Sequence, residues 1–286
     1  MSTNSCNKES DVHATSSHST PSNQRRIIKA KRPPGMSVVL SDEDLFKQPP
    51  KKDCPICMLP LPALESGSMY MICCGKTVCV GCMFAPVYND KGKIIPERKC
   101  PFCRTPLPNL DKKEEHIKWL MKRVEAADAE AINFIGLFYR DGLYGLRQDL
   151  HKALELWHKA GELGCTAAYN GIGYAYEHGR GVGRDLQKAK HYFELAAIGG
   201  HASARFNLGA SEECAGKMNR ALKHYMIAVR SGQEHSLKHI QKMFSNGRAT
   251  KDDYASALRA YQAYLSEIKS AQRDEAAAAS EICQYY

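Results

Sequence analysis

No run approaching the ~20 apolar residues of a membrane-spanning helix occurs anywhere in this chain of 286 residues. The first thirty residues, rich in Ser, Thr, Asn and His, also lack the apolar core of a secretory signal. The expectation is a cytoplasmic or nuclear protein that is not secreted and has no transmembrane segment. Concentrated charge is missing as well. The net charge of +9 is spread evenly, because residues 1–53, 54–110 and 111–286 each carry three more basic than acidic groups. No segment therefore has the basic footprint of a nucleic-acid domain. With hydrophobic residues at 43% and charged residues at 25%, collagen-like, mucin-like and wholly disordered chains are excluded. Cysteine, in contrast, is plentiful and unevenly placed. Eight of twelve lie between Cys54 and Cys103, where there is no histidine. Without export signals, such a cluster implies metal rather than disulfides.

Composition shifts divide the chain. Residues 1–53 read as a disordered arm, polar and punctuated by Pro33-Pro34 and Pro49-Pro50. Its basic run, Arg25 to Arg32, is either a solvated patch or an import signal. Residues 54–104 hold the cysteines, and a segment of that size needs a staple, which metal supplies. Residues 105–127 form a linker and a capping helix, with Asp111 and Glu114 spaced as a capping box. Residues 128–269 carry an internal repeat in four units, 128–164, 165–200, 201–232 and 233–269, and residues 270–286 form a tail.

The repeat is visible in fixed spacings. Ala153, Ala189, Ala221 and Ala257 are separated by 36, 32 and 36 residues, and Trp157, Phe193, Tyr225 and Tyr261 follow with identical separations. Gly136, Gly173 and Gly209 mark one place in each first helix, where neighbouring helices approach closely. In each second helix an aromatic follows a small Ala by four residues, so that one can pack into the space the other leaves. Gly164, Gly200 and Gly232 suit the left-handed position that ends a helix. Stacked helical hairpins follow, with a shortened loop in the third unit. The pattern A-x4-G…Y-x2-G…D-x2-K-A-x3-(W/F)-x2-A-x3-G resembles Sel1-like repeats, relatives of tetratricopeptide repeats. The match is good over 128–232 and loose over 233–269. The resemblance implies a mainly α fold, a right-handed α-solenoid that binds protein partners.

The cysteines read C54-x2-C57, C73-C74, C79-x2-C82 and C100-x2-C103, eight thiolates that suffice for two tetrahedral zinc ions. Their order resembles a small cross-brace zinc RING finger. That resemblance puts Cys54, Cys57, Cys79 and Cys82 on site one and Cys100 and Cys103 on site two. Most RINGs supply a histidine where this chain has Lys76, and an ammonium has no lone pair to donate. Cys73 is the economical replacement, completing site two as Cys73, Cys74, Cys100 and Cys103, with Gly75 absorbing the tight backbone. A three-thiolate site completed by water, or a single zinc, are the alternatives.

RING finger plus Sel1 repeats resembles an architecture frequent in diatoms and other algae, and it implies a RING-type E3 ubiquitin ligase. Ile56 and Pro101 would then contact a ubiquitin-conjugating enzyme, and Arg104 would be the linchpin that hydrogen-bonds both that enzyme and ubiquitin. No covalent catalytic residue is needed, since transfer would rest on proximity. Cys165, Cys214 and Cys283 lie in the repeats or tail and read as packing or surface residues. The solenoid would bind a protein substrate or adaptor. A non-catalytic zinc-stapled interaction scaffold is the alternative, and a nucleic-acid-binding zinc protein is disfavoured by charge.

Overall fold

Acidic caps and small-residue contacts set out the C-terminal two-thirds as antiparallel helical hairpins. The computed structural model describes residues 40–62, 67–87, 93, 95, 98–107, 112–279 and 281–285. The basic run at 25–32 and Asp111 lie outside them. Among the described residues a one-turn helix α1 (Asp42–Leu45) comes first, then strands β1 (Ser68–Met71) and β2 (Lys76–Cys79) and helix α2 (Val80–Val87). Helix α3 (Lys113–Glu125) leads into the hairpins α4 (Ala129–Asp141) with α5 (Leu150–Glu162), and α6 (Thr166–His178) with α7 (Leu186–Ile198). Then come α8 (Ala202–Cys214) with α9 (Met218–Arg230), and α10 (Glu234–Ser245) with α11 (Lys251–Ile268). Helix α12 (Ala271–Ala279) and a 3-10 turn, Glu281–Cys283, end the chain.

The repeat pattern has physical reasons. Asp149 and Asp185, the Asp of that pattern, accept the backbone N–H groups of Lys152 and Lys188 and so start α5 and α7. The shortened third loop has Lys217 there instead, with no side-chain cap. Gly164, Gly200 and Gly232 take φ of 97°, 96° and 89°, the left-handed turn that starts the next hairpin. The four registered alanines are buried, and so are Trp157, Phe193 and Tyr225. Each ring faces the glycine of the preceding helix: a methyl on Gly136, Gly173 or Gly209 would lie 2.6, 2.6 and 2.5 Å from Trp157, Phe193 and Tyr225. The room for the aromatic therefore comes from a glycine on the partner helix as well as from the alanine. Helix α10 has no glycine, and Tyr261 is only half-buried.

The cysteine segment is not a separate bead. Ile72, beside β1, joins the core of Leu120, Ala131, Ile135 and Phe138 at the start of the solenoid. Val80 of α2 joins Tyr264, Ile268, Ala276, Ala277 and Tyr285 at its end. One small module thus touches both the first and last helices.

Two expectations need correction. Residues 40–53 are not part of a disordered arm: α1 packs on α7 and α8, with Leu45 2% exposed. Its apolar pair Leu45-Phe46 is too short for periodicity, and the burial of Leu45 comes from residues far along the chain, Ala189 to Leu208. Helix α3 also lacks a capping box, since its N-cap is Lys112, which makes no side-chain hydrogen bond.

Candidate metal centres

Two similar turns hold two of the cysteine pairs. In residues 54–58 the Met58 N–H donates to Cys54 O at 2.9 Å and the Cys54 N–H to Leu59 O at 2.9 Å. In residues 100–104 the Arg104 N–H donates to Cys100 O, and the Cys100 N–H to Thr105 O, both at 2.9 Å. Met58 and Arg104 take left-handed φ of 58° and 60°. The sequences CPICMLP and CPFCRTP repeat this motif, a likeness that extends beyond the C-x2-C spacing itself. The remaining cysteines come from the β1–β2 hairpin. Its turn presents Cys73 and Cys74, with Gly75 at φ 71°, while Cys79 closes β2 and Cys82 sits in the first turn of α2.

The hairpin interleaves the pairs. Cys54, Cys57, Cys79 and Cys82 form one group and Cys73, Cys74, Cys100 and Cys103 a second, with the four sulfurs of each within 4.8 Å of one another. Cys57 Sγ lies 3.7 Å from Cys79 Sγ, Cys74 Sγ 3.8 Å from Cys100 Sγ, and Cys103 Sγ 3.4 Å from Cys73 Sγ. None of these is a bonded distance. Four sulfurs ~2.3 Å from one tetrahedral ion stand about 3.8 Å apart, so the spacing fits such an ion. All eight donors are soft sulfurs, which suits zinc or a related thiophilic metal. Both groups could hold a metal ion.

The surroundings of the first group are electrostatically specific. The Cys79 thiol hydrogen-bonds Cys54 and pulls Cys54 down to about 4, while the same contact and burial push Cys79 up. Burial raises Cys82 to about 12. Four thiols this close resist shared ionisation, and a cation would relieve that repulsion. Arg273 of α12, fully buried, donates to Ile268 O at 2.6 Å and reaches Cys57 Sγ at 3.8 Å. The amide of Gln272 lies 3.7 Å from Cys82 Sγ. The tail at 270–286 thereby supplies the outer shell of this group, a role that sequence reading missed. In the second group Thr105 Oγ1 lies 3.2 Å from Cys103 Sγ.

The other anticipated residues lie around these groups. Lys76 Nζ sits 5.8 Å from the centre of the Phe102 ring. Ile56 is 39% exposed, Arg104 is exposed and Pro101 is half-buried. Cys165 and Cys283 are buried packing residues. No helix among the described residues is long and apolar enough to cross a membrane.

Comparison with known proteins bears on the helical part. The Sel1 repeat model matches residues 129–165 and 166–201, which are the α4–α5 and α6–α7 hairpins. A curated Arabidopsis thaliana protein, ERAD-associated E3 ubiquitin-protein ligase component HRD3B, is 40% identical over 99 residues. The matched stretch is 34% of this chain and 15% of that protein's length. A Sel1 repeat protein from Oxalobacter formigenes is similar at 29% identity over 53% of this chain and 64% of that one, with a TM-score of 0.48. The protective antigen c5321 of uropathogenic Escherichia coli, with an SLR fold, is 24% identical over 55% of this chain and 34% of its own, with a TM-score of 0.45. Residues 129–201 are thus two Sel1 repeats, within a stack of helical hairpins that runs on through α8 to α11.

Proposed function

We propose that this chain is a protein-interaction scaffold whose cysteine module is a RING-type cross-brace carrying two zinc ions. The observation that supports this reading most is the position of the module, whose apolar faces at Ile72 and Val80 are spent on the two ends of the solenoid. Metal there would stiffen a binding surface built from helical hairpins. A four-sulfur site leaves no open coordination position, so each ion would be structural. The plant relative, named as a component of an E3 ubiquitin-protein ligase, agrees with a part played within a larger assembly.

A second reading has its own observation. Ile56 and Arg104 stand exposed on the two cysteine turns, free to meet a conjugating enzyme. On that reading the chain is itself a RING-type ligase that brings a ubiquitin thioester and a lysine together by proximity. One experiment on the full chain separates them: metal analysis with autoubiquitination, using purified activating enzyme and a panel of conjugating enzymes. The scaffold reading expects two zinc equivalents and no ubiquitin transfer. Transfer by the wild-type chain would replace it with the ligase reading, and absence of zinc would overturn both.

A further inference from the structure

The segment at 41–48, SDEDLFKQ, lies on the solenoid the way a bound peptide would. Leu45 fills an apolar socket made by Ala189, Phe193, Ala196, Ala197, Ala204 and Leu208. The Phe46 ring lies over His224, 4.7 Å between centroids, with the cations of Arg220 and Lys223 5.1 and 5.2 Å from its centre. Asp42 pairs with Arg220 at 2.5 Å. The fully buried Arg205 donates to the carbonyl oxygens of Leu45 and, at 3.3 Å, of Lys47. An acid, an aliphatic anchor, an aromatic and two backbone carbonyls are each met by a dedicated group.

The receiving surface is built by the solenoid itself. Glu212, 2% exposed, holds Lys190 at 3.0 Å and Arg220 at 3.4 Å, so the cation that meets Asp42 is positioned from below. A four-residue helix has no independent stability, so the groove imposes the shape of α1 rather than the reverse. The fit is also incomplete. Both ring nitrogens of the fully buried His224, and Nε of Arg205, have no hydrogen-bond partner among the described residues. Burial keeps His224 neutral, with one donor and one acceptor to offer. Unmet buried polar groups are costly, and an occupant that met them would hold the groove better than α1 does.

We infer that the groove between α7, α8 and α9 is a recognition site for short partner segments of the form acid-x-x-Leu-aromatic in a single helical turn, and that residues 41–48 are its resident intramolecular occupant. This deepens the interaction reading by naming a partner chemistry, and rests on it only for the statement that the partner is a protein. A tethered occupant acts at an effective concentration of up to about a millimolar, so a partner competes only when it binds well or when residues 41–48 are released.

The test uses a fluorescent peptide of sequence SDEDLFKQ and the full-length chain, read by anisotropy. Leu45→Ala with Phe46→Ala, which removes both apolar anchors of the resident segment while leaving the groove's walls intact, should bind the peptide saturably. The wild-type chain should bind it at least about tenfold weaker, and a peptide with both apolar residues replaced by Ala should not bind. Absence of binding to a double variant that keeps the wild-type helical circular dichroism overturns the inference, as does equal binding to wild type and variant. If the double variant loses its helical signal, Asp42→Arg serves instead. That exposed change repels Arg220 and should raise peptide affinity over wild type, and no rise overturns the inference. Peptide binding does not read zinc content or ubiquitin transfer, so this result stands apart from that of the proposed function.

Discussion

Trp157 of α5 lies against Gly136 of α4 so closely that a methyl on the glycine would stand 2.6 Å from the indole Nε1 and 3.3 Å from Ala153 O. The same relationship holds between Phe193 and Gly173 and between Tyr225 and Gly209. Gly136→Ala should therefore destabilise the chain by about 1–3 kcal/mol, the cost of overpacking, although alanine gains ~1 kcal/mol in helix propensity. Trp157→Ala should cost roughly 3–5 kcal/mol. Gly183→Ala, with nothing within 4 Å, is the neutral control. Denaturant unfolding of the full chain checks all three, and a neutral Gly136→Ala would refute the packing.

Removing metal should loosen the solenoid at its ends and spare its middle. Ile72 and Val80 carry the module's order into α3–α4 and α11–α12, whereas the α6–α9 cores contain no residue of the cysteine segment. Hydrogen exchange on the chelated full chain should quicken at α3 and α12 while α6 to α9 keep their protection. A uniform change would mean that the module stabilises the whole fold equally. No change would mean that it does not stabilise the ends at all.

Arg273 offers a test that separates the two cysteine groups. Its guanidinium approaches Cys57 Sγ, and the thiols that act on it, Cys57 and Cys79, both belong to the first group. Outer-shell partners typically matter by 10–100-fold in affinity, so Arg273→Met should weaken metal binding in the first group by about that factor. Competition with a chelator should then release one equivalent early and the other at the wild-type chelator concentration. Release of both together would make Arg273 a general stabiliser.

Legibility in the sequence followed the range over which each feature is determined. The helical hairpins declare themselves because cap, glycine and aromatic sit within one 36-residue unit, as Asp149, Gly136 and Trp157 do. The fourth unit reads weakly because α10 has no glycine for Tyr261 to face. The eight clustered cysteines are legible through their spacing, and the structure gathers them into two groups of four. Residues 41–52 and α12 were not legible as packed elements. Leu45 is buried by Phe193 and Leu208, and Ala276 by Val80, so neither segment carries its own periodic face. Arg273 looks like a surface cation until the fold brings it to Cys57.

Acidity should weaken the fold through His224. Burial, reinforced by the nearby Arg205 and Arg220 charges and opposed by Glu212, lowers this histidine from its usual 6.5 to about 3. The unfolded chain takes up a proton below about pH 6.5 that the folded chain refuses until far lower. Stability from this group is therefore complete above pH 6.5 and falls as pH drops toward 3. His224→Phe should flatten that part of the stability curve between pH 6.5 and 4.5. An unchanged slope would assign the acid sensitivity to other groups.

Arg104 decides between scaffold and ligase with two measurements that point in different directions. Its backbone, at φ 60°, belongs to the turn that carries Cys100 and Cys103, and its side chain is exposed. Arg104→Ala keeps the same backbone demand and removes only the guanidinium, so zinc content and unfolding should match wild type. Arg104→Gly relieves the left-handed conformation and should stabilise the turn by about 1 kcal/mol. These two outcomes follow from the fold and do not depend on function. Ubiquitin transfer does. On the scaffold reading neither wild type nor Arg104→Ala transfers ubiquitin with any conjugating enzyme. On the ligase reading wild type transfers it and Arg104→Ala loses most of that rate, because charge-assisted hydrogen bonds from a planar five-donor group act on the reactive conformation rather than on folding. Ile56→Ala would then weaken binding of the conjugating enzyme itself. Transfer by wild type and Arg104→Ala at equal rates would leave the ligase reading standing and remove Arg104 from it.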